Sequence, residues 1–447
     1  MAILRKIERL LLNIFGFYCI ILSPVNIAQP NSGSSLEDFF NAAIKFSPTL
    51  QIAAENLNIS SARKKAAVGQ LLPQINAGAN VSDNNADQFN VTRNFTGERY
   101  FLSLSQTLFN WQQFSLRKEA RLLEDQSEEE YYYQLAVLLT EVAERYFGVL
   151  QARDSMDLIS SEIEALRNQL DQVQNLFDRQ LAQVTDLYQV EASLAASEAQ
   201  QLQLEADLAI SRERLSSISG LEVGTLLQLR EDIEISPLEY DQAFYVQKAQ
   251  ESNNRVLAGE FAVKAANEGV SGRRGAYMPQ VSLIAQRQDS NVGFENLPIN
   301  RTDNTYIGFN VVIPIYAGGR NRASVSEAIS RRSIAEYELR ETQLRTRELV
   351  RSAFLQVKAS DAQSDAASIL VESTALSSEA MQQGFSLGTV TSVDVLNALR
   401  DQFQAERDLQ RIRYDHIRYL LLLKRETGTL DAEDMLEVGS WLEPSSP

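Results

Sequence analysis

Few side chains in this 447-residue chain are equipped for chemistry. It has one histidine, His416, set among Arg413, Asp415 and Arg418, and one cysteine, Cys19. A single His remote from any Cys cannot assemble the usual zinc ligand set, so no metal is expected. No glycine-rich phosphate loop and no nucleophile motif occurs, and neither a cofactor nor catalysis is expected. The acidic run at residues 128–130 reads as a solvated helix face. What stands out is a pair of related stretches, Phe177-Asp-Arg-Gln-Leu-Ala-Gln-Val-Thr-Asp186 and Phe385-Ser-Leu-Gly-Thr-Val-Thr-Ser-Val-Asp394. In each, the closing carboxylate suits the cap of a helix that begins there, and the opening Phe suits packing.

Each stretch lies between long, proline-free segments rich in Ala, Leu, Gln and Glu, the pattern of a turn in a long helical hairpin. Other landmarks repeat at nearly the same offset. Pro73-Gln74 recurs as Pro279-Gln280, a shift of 206, and Leu104 to Phe109 falls opposite Val311 to Tyr316, a shift of 207. The two Phe/Asp stretches, and Ser219-Gly220 against Thr427-Gly428, are both 208 apart. The chain therefore reads as two copies of one unit.

In the first copy, Ser35 is a candidate N-cap and Pro48 begins a second helical segment that Pro73 ends. From Ile75 the period changes to two: Ile75, Ala77, Ala79 and Val81 alternate with polar or small residues, as in a strand of about 75–83. Asp83 to Gly97 reads as a polar loop, and a second strand follows at about 100–109. Phe109, Trp111 and Phe114 suit either an interfacial aromatic belt or ordinary packing. Gln112 to Leu176 reads as one helix of roughly 97 Å, and the shorter segments before and after it, roughly 37 and 52 Å, would stack end to end alongside. The small residues Ala192, Ala195, Ala196 and Ala199 permit close helix contact.

The second copy repeats the plan, with helix from about Pro237 to Met278, strands of about 281–288 and 305–316, and a loop from Asp289 to Asn304. Ile307, Phe309, Val311, Ile313 and Ile315 alternate strictly. Their face must meet something apolar, either the core of a two-layer sandwich or lipid.

Residues 1–28 carry Arg5, Lys6 and Arg9, then an apolar run from Leu10 to Leu22, then Ala28: the features of an export signal, too short for the roughly 20 residues that span a bilayer. Its removal takes three basic residues and Glu8 from a chain of 42 basic and 59 acidic groups, leaving 39 and 58, a formal charge of −19. So acidic an exported chain is a poor partner for nucleic acid. No later stretch has the length of an apolar spanning helix, so any membrane crossing must use strands in a closed barrel. Four strands per chain fall short of the roughly eight that the smallest barrels need, so several chains would share one.

With the duplicated tip, the Pro-Gln junctions and Ile313-Pro-Ile-Tyr-Ala-Gly-Gly319 in hand, the chain resembles the TolC family of outer-membrane efflux proteins over nearly all of its mature length. The resemblance implies a mainly α fold with a β-barrel portion: duplicated units of helical hairpin plus β-hairpin, trimerising into a 12-stranded outer-membrane barrel continued by a periplasmic α-helical barrel. It divides the chain into the signal at 1–28, repeats at 29–220 and 237–428, a linker at 221–236 and a tail at 429–447. It implies an exit duct of a tripartite efflux pump or type I secretion system. The partners implied are a periplasmic adaptor, an inner-membrane RND, ABC or MFS transporter, and outer-membrane lipid.

It further implies a pore constriction at Asp394, with Asn397 where the family has a second aspartate. Thr185 and Asp186 match gate residues whose family partners, an arginine and a tyrosine, are Val390 and Phe385 here. Gly388, with Leu387 and Thr389, matches the adaptor-docking tip, and Gln180 and Leu181 stand at the same place in the first copy. The alternative from another class is a soluble periplasmic coiled-coil scaffold or adaptor without a pore.

Overall fold

The computed structural model describes residues 35–88, 91–230, 238–293 and 297–443. The expected signal at 1–28 and Pro237 lie outside the described residues. Helix α1 (Leu36–Phe46) opens on a capping box, in which the Ser35 hydroxyl accepts from Asp38 N–H while the Asp38 carboxylate accepts from Ser35 N–H. Ser47 then breaks the rod and caps α2 (Pro48–Gly69). Strands β1 (Gln74–Gln88) and β2 (Val91–Phe109) follow, then the 68-residue helix α3 (Trp111–Asp178) and the return helix α4 (Val184–Ser219). After a short strand β3 (Gln228–Leu229), the plan recurs: α5 (Gln242–Ser252), α6 (Asn254–Arg274), β4 (Gln280–Val292), β5 (Pro298–Val312), the 67-residue α7 (Arg320–Ser386) and α8 (Ser392–Thr427). Both return helices are 36 residues long and end at a glycine in the left-handed region, Gly220 and Gly428, each with φ of 70°. At Gly428 there is no room for anything else, because an added Cβ would run into the backbone carbonyl of Ser252.

Three expectations are corrected. The loops expected at 83–97 and 289–304 are largely strand, and the hairpins run on well past their apolar part. Strand pairing satisfies its own backbone groups, so it continues where neither face is apolar. The strand expected over 305–316 stops at Val312, because Pro314 has no N–H for the ladder and Gly318 and Gly319 turn the chain with positive φ. The single helix expected from Pro237 to Met278 is two helices. Asn253 divides them, its side chain accepting from Arg255 and Val256 N–H and donating to Glu426 O at 2.9 Å, just as Ser47 divides α1 from α2. The tail at 429–447 is folded in part: α9 (Ala432–Ser440) and β6 (Leu442–Glu443), which pairs with β3, pack against the widest part of the core.

That core sits where the α1 to α2 break meets the middle of α3. Phe39, Val142, Tyr146, Phe147, Leu150, Leu215, Tyr414, Ile417 and Leu421 fill it. Elsewhere the molecule is one layer thick. Toward the sheet, the helices lie in the row α2, α3, α6, α7; toward the tips the row is α4, α3, α8, α7. The short helices thus run end to end beside the long ones, as their lengths require. Polar contacts lock the two copies along the antiparallel α3/α8 seam, with Glu162 to Arg407 at 2.6 Å, Tyr414 to Asp154 at 2.6 Å and Arg418 to Gln151 at 3.0 Å.

His416 is a structural residue on α8. Its Nδ1 lies 2.8 Å from Ser360 Oγ on α7, and burial holds its pKa below the ordinary 6.5 although Asp361 opposes the shift. Because the unfolded chain takes up this proton first, the contribution of His416 is fully present above about pH 6.5 and is lost as pH falls through the lower folded-state value. His416→Gln is expected to flatten that acid loss, read as the thermal midpoint against pH. An equally steep loss in the variant would refute the assignment. Trp111 is half-buried and donates its indole N–H to Ser271 Oγ at 3.0 Å, joining α3 to α6, while Phe109 and Phe114 meet edge to face.

Candidate functional site: a sheet at one end, two tips at the other

The four long strands form one antiparallel sheet in the order β1-β2-β4-β5, so the two hairpins are joined through β2 and β4, and β1 and β5 are free edges. Residues opposite one another share a face. One rung reads Ile75, Leu104, Ala285, Ile307 and another begins with Ala77 and Leu102, so the apolar members collect on one side, where Ile75, Leu102, Ile307, Phe309 and Val311 are all more than half exposed. The other face carries Asn76, Ser103, Gln286 and Tyr306, then Gly78, Phe101, Gln288 and Asn304: mostly uncharged hydrogen-bonding groups.

The apolar face has a sharp upper limit. Arg287 pairs with Asp303 at 2.7 Å and Arg301 with Asp289 at 2.8 Å. Below these pairs the apolar alternation runs from Ile307 to Ile313, six residues or about 20 Å of chain, about 16 Å of height at a tilt near 40°, which fits within the roughly 25 Å band of outer-membrane barrels. No helix among the described residues is long and apolar enough to cross a membrane.

A second uncovered surface runs down α7. Ile334, Leu355, Ile369 and Leu376 are separated by multiples of seven, and Tyr337 and Leu344 stand three residues on in the same repeat; all are more than half exposed. On the opposite flank of the row, Ile52 and Ile59 on α2 are seven apart, and Tyr188 and Leu202 on α4 fourteen. This heptad spacing is that of the seam positions of a coiled coil. Sequence reasoning missed them. The signal was present as an apolar heptad, but on α7 it is diluted among polar residues. The whole chain exposes 28918 Å², against about 17,000 Å² for a compact protein of this mass.

At the far end, the tips fold alike. Gln180 N–H donates to Phe177 O and Leu181 N–H to Leu176 O, both at 2.8 Å; Gly388 N–H donates to Phe385 O at 3.0 Å and Thr389 N–H to Gly384 O at 2.9 Å. Each bond is the other shifted by 208, and both central residues are left-handed, Gln180 at φ 63° and Gly388 at φ 73°. A side chain with a Cβ is disfavoured there by about 1 kcal/mol. Gln180→Gly is therefore expected to stabilise the first tip by up to about 1 kcal/mol, read as slower amide exchange across residues 176–184; faster exchange would refute the strain.

The Asp side chains at both tips are caps. Asp394 accepts from Thr391 N–H at 3.0 Å and from its hydroxyl at 2.6 Å, and Asp186 accepts from Gln183 N–H at 3.3 Å. The hydrogen bonds from the Thr391 side chain and backbone hold the exposed Asp394 carboxyl below its ordinary range, so it is ionised at neutral pH. Phe385 packs with Val390 on one cluster and with Phe177 on another. Phe385 touches both the cluster of Leu166, Val395, Leu399 and Phe403 and that of Val173, Leu187 and Val190, and so binds the two hairpins to each other. Thr185 is exposed and engages only Gln183. Asn397, Leu387, Gly388, Thr389, Gln180 and Leu181 are exposed at the end of the molecule. No group of three or more potential metal ligands occurs among the described residues.

Two segments of the chain, residues 40–221 and 245–429, match the family described as Outer membrane efflux protein. The Outer membrane protein TolC of Vibrio cholerae is 28% identical over 421 residues, covering 91% of this chain and 94% of that protein. The Alkaline protease secretion protein AprF of Pseudomonas aeruginosa is 25% identical, covering 96% and 90%. Among solved structures, CusC superposes with a TM-score of 0.79 at 17% identity over 90% of this chain and 95% of its own. The outer-membrane channel OprN does so at 0.78 and 17%, over 90% and 94%.

Proposed function

This chain belongs to the outer membrane efflux protein family, and from that premise we propose how it works as an exit duct: three copies close into a ring, passing small molecules or proteins outward across the outer membrane. One observation carries the reading. The chain leaves a heptad stripe open on α7 and another on the α2/α4 flank, and it leaves two strand edges unpaired beside an apolar face. A flank that fits the opposite flank of the next copy makes a head-to-tail contact, which closes when the rotation allows. Two copies would supply only eight strands, whose interior is filled by side chains, so a duct needs more. Three supply twelve, with the Asn, Ser and Gln face toward the lumen.

In the closed ring the tips would converge. Asp394 would line the constriction with Asn397 beside it, and Thr185, Asp186, Phe385 and Val390 would govern how near the hairpins lie. The turn at Leu387, Gly388 and Thr389, with Gln180 and Leu181, would be the surface offered to a periplasmic adaptor and, through it, to an inner-membrane RND, ABC or MFS transporter. Repeats at 29–220 and 237–428 joined by 221–236 belong to the same reading, as does a role in transport rather than catalysis. A soluble scaffold is not supported, because none of the described residues covers the apolar side of the sheet. The test is to extract the protein from outer membranes and record it in planar lipid. A detergent-dependent, heat-dissociable trimer with discrete conductance is expected, and a monomer released with the periplasmic fluid would overturn the proposal.

A further inference from the structure

The charge of this acidic chain is unevenly placed. Residues 60–72, 111–122, 266–279 and 317–326 hold ten arginines and lysines against Glu119 and Glu268, a formal +8 in a chain of −17. All four stretches are helix ends that join the sheet, at the lower limit of its apolar face. The tips show nothing similar: residues 166–190 and 376–400 hold three basic and five acidic groups. Within the collar only Lys64 forms a direct ion pair, with Glu124, and Arg273 lies near Glu119. Arg117, Lys118, Arg274, Arg320 and Arg322 are exposed.

Helix electrostatics does not account for this. Arg273 and Arg274 suit the last turn of α6, but Arg320 and Arg322 occupy the first turn of α7, where the helix dipole disfavours cations. Exposed tyrosines, Tyr277 and Tyr316, stand between the apolar strands and the basic residues. Apolar band, aromatic ring and basic residues in that order are the layers of a membrane interface. We infer that this collar binds the anionic headgroups of glycerophospholipids in the leaflet nearest the helices, and so sets the depth of the duct in the membrane. The inference rests on the exit-duct reading above.

The experiment reconstitutes the full chain into nanodiscs of phosphatidylcholine alone or mixed with phosphatidylglycerol. Native mass spectrometry then measures the lipid that stays bound. Each basic residue near an anionic surface is worth roughly a fivefold gain. The wild type is expected to retain phosphatidylglycerol over phosphatidylcholine by at least about tenfold, less so in high salt. The variant Arg117→Gln/Lys118→Gln/Arg320→Gln/Arg322→Gln is expected to lose most of that preference. Equal retention of both lipids by the wild type, or a preference indifferent to salt, overturns the inference without recourse to the variant. So does a variant that changes ion selectivity and leaves bound lipid unaltered, which would place the collar in the lumen. Failure to insert into neutral nanodiscs at all would instead count against the duct reading.

Discussion

Replacing Leu355 and Ile369 together by aspartate is expected to leave the protein folded and monomeric. Both side chains are more exposed than covered on α7 of the single chain, at 58% and 67%, so the change removes little contact within it. In the ring each would be buried against the next copy, where a fully buried Leu or Ile is worth about 1.5–3 kcal/mol. Two such losses in each of three seams, with carboxylates forced into an apolar stripe, exceed what one association step can absorb. Helical content should be unchanged by circular dichroism, while light scattering in detergent should report a single chain instead of a trimer. A variant that remains trimeric would remove α7 from the contact between copies, and with it the head-to-tail ring.

Asp394→Ala is expected to abolish the cation preference of the conducting duct. In the proposed ring, three ionised carboxylates gathered at one constriction would raise the local cation concentration by about tenfold or more at low salt. Above about 0.1 M salt the Debye length falls to about 10 Å and the effect shrinks, so the measurement belongs at low ionic strength. The substitution also removes a helix cap, at a cost of about 1 kcal/mol, and the two effects separate cleanly. Asp394→Asn keeps a side-chain acceptor and loses the charge; Thr391→Ala weakens the cap and keeps the charge. Selectivity should disappear in the first and survive in the second. Asn397→Asp, which adds a second carboxylate one turn on, should strengthen it. Selectivity unchanged in Asp394→Ala would take this residue out of the pore.

Much of the fold was legible because it is local. The Ser35 cap, the proline stop at Pro73 and the uniform helical run read from Gln112 to Leu176 each depend on a few neighbouring residues. The offset of 208 between the tips reappears as identical backbone hydrogen bonds. At the candidate site, the capping role of Asp186 and Asp394 was readable from spacing. Contact of Phe385 with clusters on both hairpins was not, because it joins residues roughly two hundred positions apart.

Residue order alone was sufficient for the long helices, the duplication and the apolar alternation of the strands, since each is a matter of period and of the first few neighbours. Tertiary structure decided how far the strands continue, that β2 pairs with β4, that the tail closes over the core, and that α7 is left without a neighbour along its heptad. The physical reason is the same in every case. How far a backbone ladder runs depends on its partner strand as well as on its own residues, and a stripe of apolar residues is known to be unfilled only after the other helices have taken their places.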